Sequence, residues 1–183
     1  MEWISKIELP KVKKEPNGRL AVQQRFKIAM EFLAPLGKLL QSTYSTRKRG
    51  KSAMGRAMSK VLCGAIEGAY PNQYVNPAKV LLSEGTLMSA REIALKRDGN
   101  TLTATFNARS DYIFGNPDDG VLLCAYSPSL RIAGINEEPA IRADGKVSIT
   151  LPPQLKDQEV LVYILFRTRD WKHFSRSVYL GEW

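Results

Sequence analysis

The chain has 183 residues, 44% of them apolar, and a formal net charge of +9 at pH 7. That size and apolar content suit one ordinary domain with a smaller appendage and a core that needs no disulfide staples. Membrane spanning and secretion are not expected, because no uncharged apolar stretch approaches the roughly 18 residues of a membrane helix and Met1 to Leu9 carries acids where a signal peptide needs an unbroken apolar run.

The excess charge is regional: residues 1–78 hold fourteen Lys/Arg against five Asp/Glu, and the remainder holds thirteen of each. Met1 to Gly18 scatters Trp3, Ile4, Ile7 and Leu9 among charges, and Pro10 and Pro16 forbid a continuous helix, so this stretch reads as an extended basic arm. After Asn17, Val22, Phe26, Ala29, Leu33, Leu36 and Leu40 recur at spacings of four and three, which places them on one helical face. Pro35 should kink or restart that helix. Tyr44 to Lys51 reads as a basic linker. Ser52 can cap a second helix striped by Met54, Met58, Val61 and Ala65 and ending near Gly64 to Gly68, which makes an antiparallel helical hairpin.

From Tyr70-Pro71 and Asn76-Pro77 onward the period changes from 3.6 to two. Strands are expected at Lys79 to Ser83, Arg91 to Lys96, Thr101 to Asn107, Val121 to Tyr126, Arg131 to Ile135, Lys146 to Leu151, Glu159 to Phe166 and Ser175 to Leu180. Asp98-Gly99-Asn100 is a hairpin signal. Leu102, Ala104 and Phe106 alternate with threonines, giving one dry face and one wet face. Val160 to Phe166 is apolar throughout, as a central strand covered on both sides would be. The expected fold class is α+β: a basic arm and helical hairpin (residues 1–78) followed by an antiparallel β-sandwich of immunoglobulin or fibronectin type III-like topology (residues 79–183).

Three ordered motifs carry a resemblance. They are Gln23-Gln24-Arg25-Phe26-Lys27 leading into Phe32-Leu33-Ala34-Pro35-Leu36; Ala69-Tyr70-Pro71 followed by Val80 to Leu87; and Ser177-Val178-Tyr179-Leu180-Gly181. On these the chain resembles domain-of-unknown-function family 6266, uncharacterised bacterial proteins mostly from Bacteroidota, over about residues 17 to 181. The resemblance implies no catalytic residues. The Gln-Gln-Arg-Phe opening is also similar to openings of small phage and virion-associated proteins, which implies an assembly role.

Candidate sites are sparse. His173 is the only histidine, which rules out multi-histidine metal sites, and it sits in a loop with no nucleophile motif. That same loop sets Trp171, Lys172 and Phe174 among Arg167, Arg169 and Arg176, an aromatic and cationic tip suited to partner contact. Asp111, Asp118 and Asp119 lack calcium-loop spacing and read as turn residues. Gly50-Lys51-Ser52 lacks the upstream glycine of a phosphate loop. Arg47, Lys48, Arg49 and Lys51, extended by Arg56 and Lys60, form the densest charge, a surface for phosphates or an acidic partner. Cys63 and Cys124 read as buried free thiols of a reducing compartment.

These features predict a non-enzymatic structural or adaptor subunit of a larger assembly of the phage or virion kind, cytoplasmic or in the particle. It would work through protein contacts in an oligomer, with no cofactor, metal or small-molecule substrate. Trp3, Ile4, Ile7 and Leu9 would insert into a neighbour. The alternative is a sequence-nonspecific nucleic-acid-binding protein that grips the backbone with its basic helical region.

Overall fold

The computed structural model describes residues 18–44 and 50–183. Helix α1 (Gly18–Leu33) and helix α2 (Gly37–Thr43) are separated by one tighter turn at Ala34–Leu36, where Pro35 has no amide to continue the ladder. Helix α3 (Ala53–Gly64) starts on Ser52, whose Oγ accepts from the Gly55 amide at 3.0 Å. The two segments pack as the hairpin that the spacing predicts, with Ala29, Leu33, Leu36 and Leu40 against Ala57, Met58 and Val61.

Val22 and Phe26 depart from that expectation, since each stands 52% exposed. The first turns of α1 are held by polar contacts instead: Gln24 Nε2 donates to the Pro71 carbonyl at 2.6 Å and Arg25 Nη2 to that of Leu62 at 2.8 Å. Turning Gln24 and Arg25 inward rotates Val22, Phe26 and Met30 outward, because neighbouring helix positions lie about 100° apart.

Ten strands follow. The first two, β1 (Ile66–Glu67) and β2 (Tyr74–Val75), form a small antiparallel ladder that the sequence reading missed. Next come β3 (Ala94–Asp98), β4 (Thr101–Thr105), β5 (Gly120–Ser127), β6 (Ile132–Ile135), β7 (Ala140–Ile141), β8 (Lys146–Thr150), β9 (Leu161–Arg167) and β10 (Val178–Glu182). One sheet runs β10-β9-β5-β6, with β7 pairing one end of β5, and another runs β3-β4-β8. All of these ladders are antiparallel, so the expected α+β class holds.

The larger sheet is apolar on both faces because each face has a cover. Val121, Leu123, Ala125, Val162, Ile164 and Phe166 meet Leu102, Ala104, Phe106, Val147 and Ile149 of the smaller sheet. On the opposite face Cys124, Tyr126, Leu161 and Tyr163 meet the helices, and Phe32 sits edge-on to Tyr126 with ring centroids 5.1 Å apart. The result is three layers: helices, larger sheet, smaller sheet. Strand β9, read as covered on both sides, occupies that central position beside β5.

The strand expected at Lys79 to Ser83 is absent. Pro77–Lys79 forms a single tight turn, and the extended residues beyond it bond to side chains rather than to a ladder. Ser177 Oγ accepts from the Leu82 amide at 2.8 Å and Ser83 Oγ donates to the Ser175 carbonyl at 2.7 Å. Val80 and Leu82 are nevertheless buried, so the apolar alternation was genuine while the pairing partner was not a strand.

Candidate functional site

Four loops converge at one end of the sheets, and hydrogen bonds fix their order. The Leu87 amide donates to the Phe174 carbonyl and the Met88 amide to that of Phe114. Successive amides of an extended segment point to opposite sides, so residues 87–88 lie between the Phe114 loop and the Phe174 loop. Arg142 joins them from below. It is fully buried, its Nη2 donates to the Met88 carbonyl at 2.7 Å and lies 3.3 Å from Asp119 Oδ2, and its guanidinium stacks 4.0 Å from the Phe166 ring.

On this base stands a tip that the sequence reading passed over. Tyr112, Ile113 and Phe114 are 73%, 78% and 55% exposed. They are held rigidly. Asp111 Oδ1 accepts from the amides of Ile113, Phe114 and Gly115 at 2.8–3.1 Å, which also holds its carboxyl below the usual range. The Tyr112 amide closes the turn on the Gly115 carbonyl at 3.0 Å. Three consecutive large apolar side chains presented on a braced turn form a surface patch of the sort that marks interaction sites. The string Asp-Tyr-Ile-Phe-Gly between two strands was the available signal, an apolar triplet flanked by turn residues.

The neighbouring loop carries the contact residues expected from the sequence, with one correction. Trp171 is 43% exposed, with the Arg167 guanidinium stacked 3.8 Å from its ring. Lys172 is open to solvent and 3.4 Å from Asp170. Phe174, expected as a contact, is buried against Leu122 and Leu165 and anchors the loop instead. His173 is exposed; its backbone amide donates to Thr168 Oγ1.

The basic cluster is divided. Arg47, Lys48 and Arg49 lie outside the described residues, as do Trp3, Ile4, Ile7 and Leu9. Lys51 is exposed, but Lys60 pairs with Glu84 at 2.8 Å, and Arg56 donates to the Tyr44 carbonyl at 3.1 Å while lying over the Tyr44 ring. Tyr44 itself is buried, not a linker residue, and desolvation pushes its hydroxyl up to about 12. Asp119 builds a turn, as its Asn-Pro-Asp-Asp-Gly surroundings predict, its Oδ2 accepting from the Asn116 amide at 2.8 Å, and Asp111 builds the separate turn described above. Cys124 is buried, its thiol pushed up to about 12 by desolvation, whereas Cys63, expected to be buried, is exposed.

Among the described residues no helix is long and apolar enough to cross a membrane, and no group of three or more His, Cys, Asp or Glu is placed to hold a metal ion. No curated protein and no solved structure matches the chain. One family model does match, over residues 6–181, and on that nearly complete coverage the chain belongs to the Family of unknown function (DUF6266).

Proposed function

We propose that this protein is a non-enzymatic structural or adaptor subunit that joins a larger assembly through the aromatic end of its sheets. The observation that carries the reading is the braced exposure of Tyr112, Ile113 and Phe114, with Trp171 exposed on the loop at the other side of residues 87–88. Exposed apolar side chains on a rigid turn lose little entropy when a partner covers them, and aromatic anchors dominate protein interfaces. We read the facing of β3-β4-β8 against β10-β9-β5-β6 as a fibronectin type III-like arrangement, a scaffold that commonly presents loops at its ends. The resemblance of the Gln-Gln-Arg-Phe opening to virion-associated proteins supports a particle of that kind, in the cytoplasm or released, as the assembly.

The test is sedimentation of extracts from cells that make the protein, comparing the natural chain with Ile113→Asp. Ile113 is 78% exposed, so the substitution should leave stability within about 0.5 kcal/mol of the natural chain. The natural chain should travel in a high-mass fraction and the variant as free protein. Identical sedimentation of the two, or a natural chain found only free, defeats the reading.

A further inference from the structure

An apolar hollow of about 290 Å³ lies between α2, with the turn before it, and β6. Strand β6 ends the larger sheet, with no strand beyond it among the described residues. Ala133 and Ile135 lie opposite Tyr126 and Cys124, the β5 residues that face the helices, and residues directly opposite in a ladder share a face. They therefore wall the hollow on the sheet side, while Leu36 and Leu39 wall it on the helical side and Trp171 borders it from the loop between β9 and β10. At ~30 Å³ for each water-sized group, the space takes on the order of ten non-hydrogen atoms.

Its charge is one-sided. Lys38 is the one charged residue that borders it, exposed and without an ion-pair partner among the described residues. Other hollows of similar size include carboxylates: Glu31 and Glu182 in one, Glu92 and Asp111 in a second, Glu137 and Glu138 in a third. The Trp171 loop adds charge of the same sign, since Arg167, Arg169 and Lys172 outnumber Asp170. Trp171 itself is held under strain, with φ at 60°, a left-handed conformation that a bulky residue rarely adopts. Asp170 Oδ1 fixes the turn by accepting from Thr168 Oγ1 at 2.6 Å and from the Lys172 amide at 3.1 Å. Strain that surrounding bonds over-determine in this way is characteristic of ligand clamps.

We propose that this hollow binds a small organic anion: an apolar body of about eight to ten atoms that carries one carboxylate. The body lies against Leu36, Leu39, Ala133 and Ile135 beside the Trp171 ring, and the carboxylate pairs with the Lys38 ammonium at the rim. One ammonium matches one carboxylate, whereas a phosphate monoester, with a charge of about −1.5 to −2, calls for a second cation inside the hollow. The volume selects a free small molecule, because a lipid acyl chain has more carbons than these walls can cover. The ligand is bound and not turned over, so the site stands beside the non-enzymatic reading. It shares only Trp171 with the aromatic end and needs no macromolecular partner, so either reading can fail without the other.

The experiment is isothermal titration calorimetry of the full chain with sodium octanoate, beside octylamine, which keeps the chain length and reverses the charge. Octanoate should bind saturably at one per chain, and octylamine at least about tenfold more weakly. Lys38→Glu, at an exposed position, should weaken octanoate about five- to tenfold and strengthen octylamine. Ala133→Phe, which fills the hollow with a ring, should abolish octanoate binding, and Ala133→Leu serves as a second filling variant should Ala133→Phe unfold. Octanoate should also shift the tryptophan emission of the natural chain and not that of Trp171→Phe. The proposal is overturned by octanoate that does not saturate below about 10 mM, the weakest affinity that ten well-covered atoms would give. It is overturned equally by octylamine that binds as tightly as octanoate, or by octanoate affinity that is unchanged in both Lys38→Glu and a folded filling variant.

Discussion

Removing the carboxylate of Asp119 is the sharpest probe of the aromatic end, because it leaves Arg142 as an uncompensated buried cation. Both side chains are essentially inaccessible, at 2% and 0% exposure, and Arg142 Nη1 has no hydrogen-bond partner among the described residues even in the natural chain. Burial already lowers the Arg142 pKa, and the neighbouring Asp119 charge is what opposes that shift. Breaking one half of such a pair costs about 3–5 kcal/mol, whereas replacing both members with apolar groups is far milder. Asp119→Ala should therefore lower Tm by roughly 8–16 °C in a chain of this size. The double variant Asp119→Ala with Arg142→Met should recover at least about 1–2 kcal/mol of that loss. Urea unfolding followed by tryptophan fluorescence, applied to these two variants and to Arg142→Met alone, closes the cycle. A single variant within about 1 kcal/mol of the natural chain, or a double variant less stable than Asp119→Ala, would show that the charge pair is not what holds the loops together.

Two further outcomes follow from burial. Desolvation pushes the Tyr44 and Tyr126 hydroxyls up to about 12 and the Cys124 thiol likewise; since the folded values exceed the unfolded ones, their contribution is intact below the unfolded values of about 9–10 and is lost as pH rises toward 12. Stability measured by urea midpoint should accordingly fall along that limb, and Tyr126→Phe, which deletes a buried hydroxyl with no partner among the described residues, should flatten the limb and leave neutral-pH stability unchanged or up to about 1 kcal/mol higher. A steeper limb in that variant would contradict the burial account. Thiol titration with a chromogenic disulfide should count one reactive cysteine, Cys63, in the native chain and two after denaturation; two fast thiols in the native chain would place Cys124 at the surface.

The elements that could be read from the chain are those whose cause is local. Ser52 and Pro35 punctuate the helices through their own hydrogen-bonding chemistry, and Asp98-Gly99 turns β3 into β4 whatever surrounds it. The unbroken apolar run of β9 announced two covers because no strand can bury both faces against water. What covers them was invisible: Cys124 and Tyr163 meet helices while Leu123 and Ile164 meet a second sheet, and nothing in their spacing distinguishes these partners.

The same limit governed the candidate site. Phe174 and Phe114 are both aromatics in basic or polar loops, yet one is buried and the other stands out, because Leu122 and Leu165 lie beneath the first and Asp111 braces the second. Val22 and Phe26 share a helical face with Leu33, but Arg25 and Gln24 found carbonyl partners at Leu62 of α3 and at Pro71 and turned them outward. Sequence by itself settled the periods, the stops and the regional charge, since these arise from neighbours along the chain. The tertiary structure alone decided which strand became the open edge, which cations were taken up by the protein's own groups, and which aromatics face solvent, because each depends on what residues far apart in sequence bring to the same place.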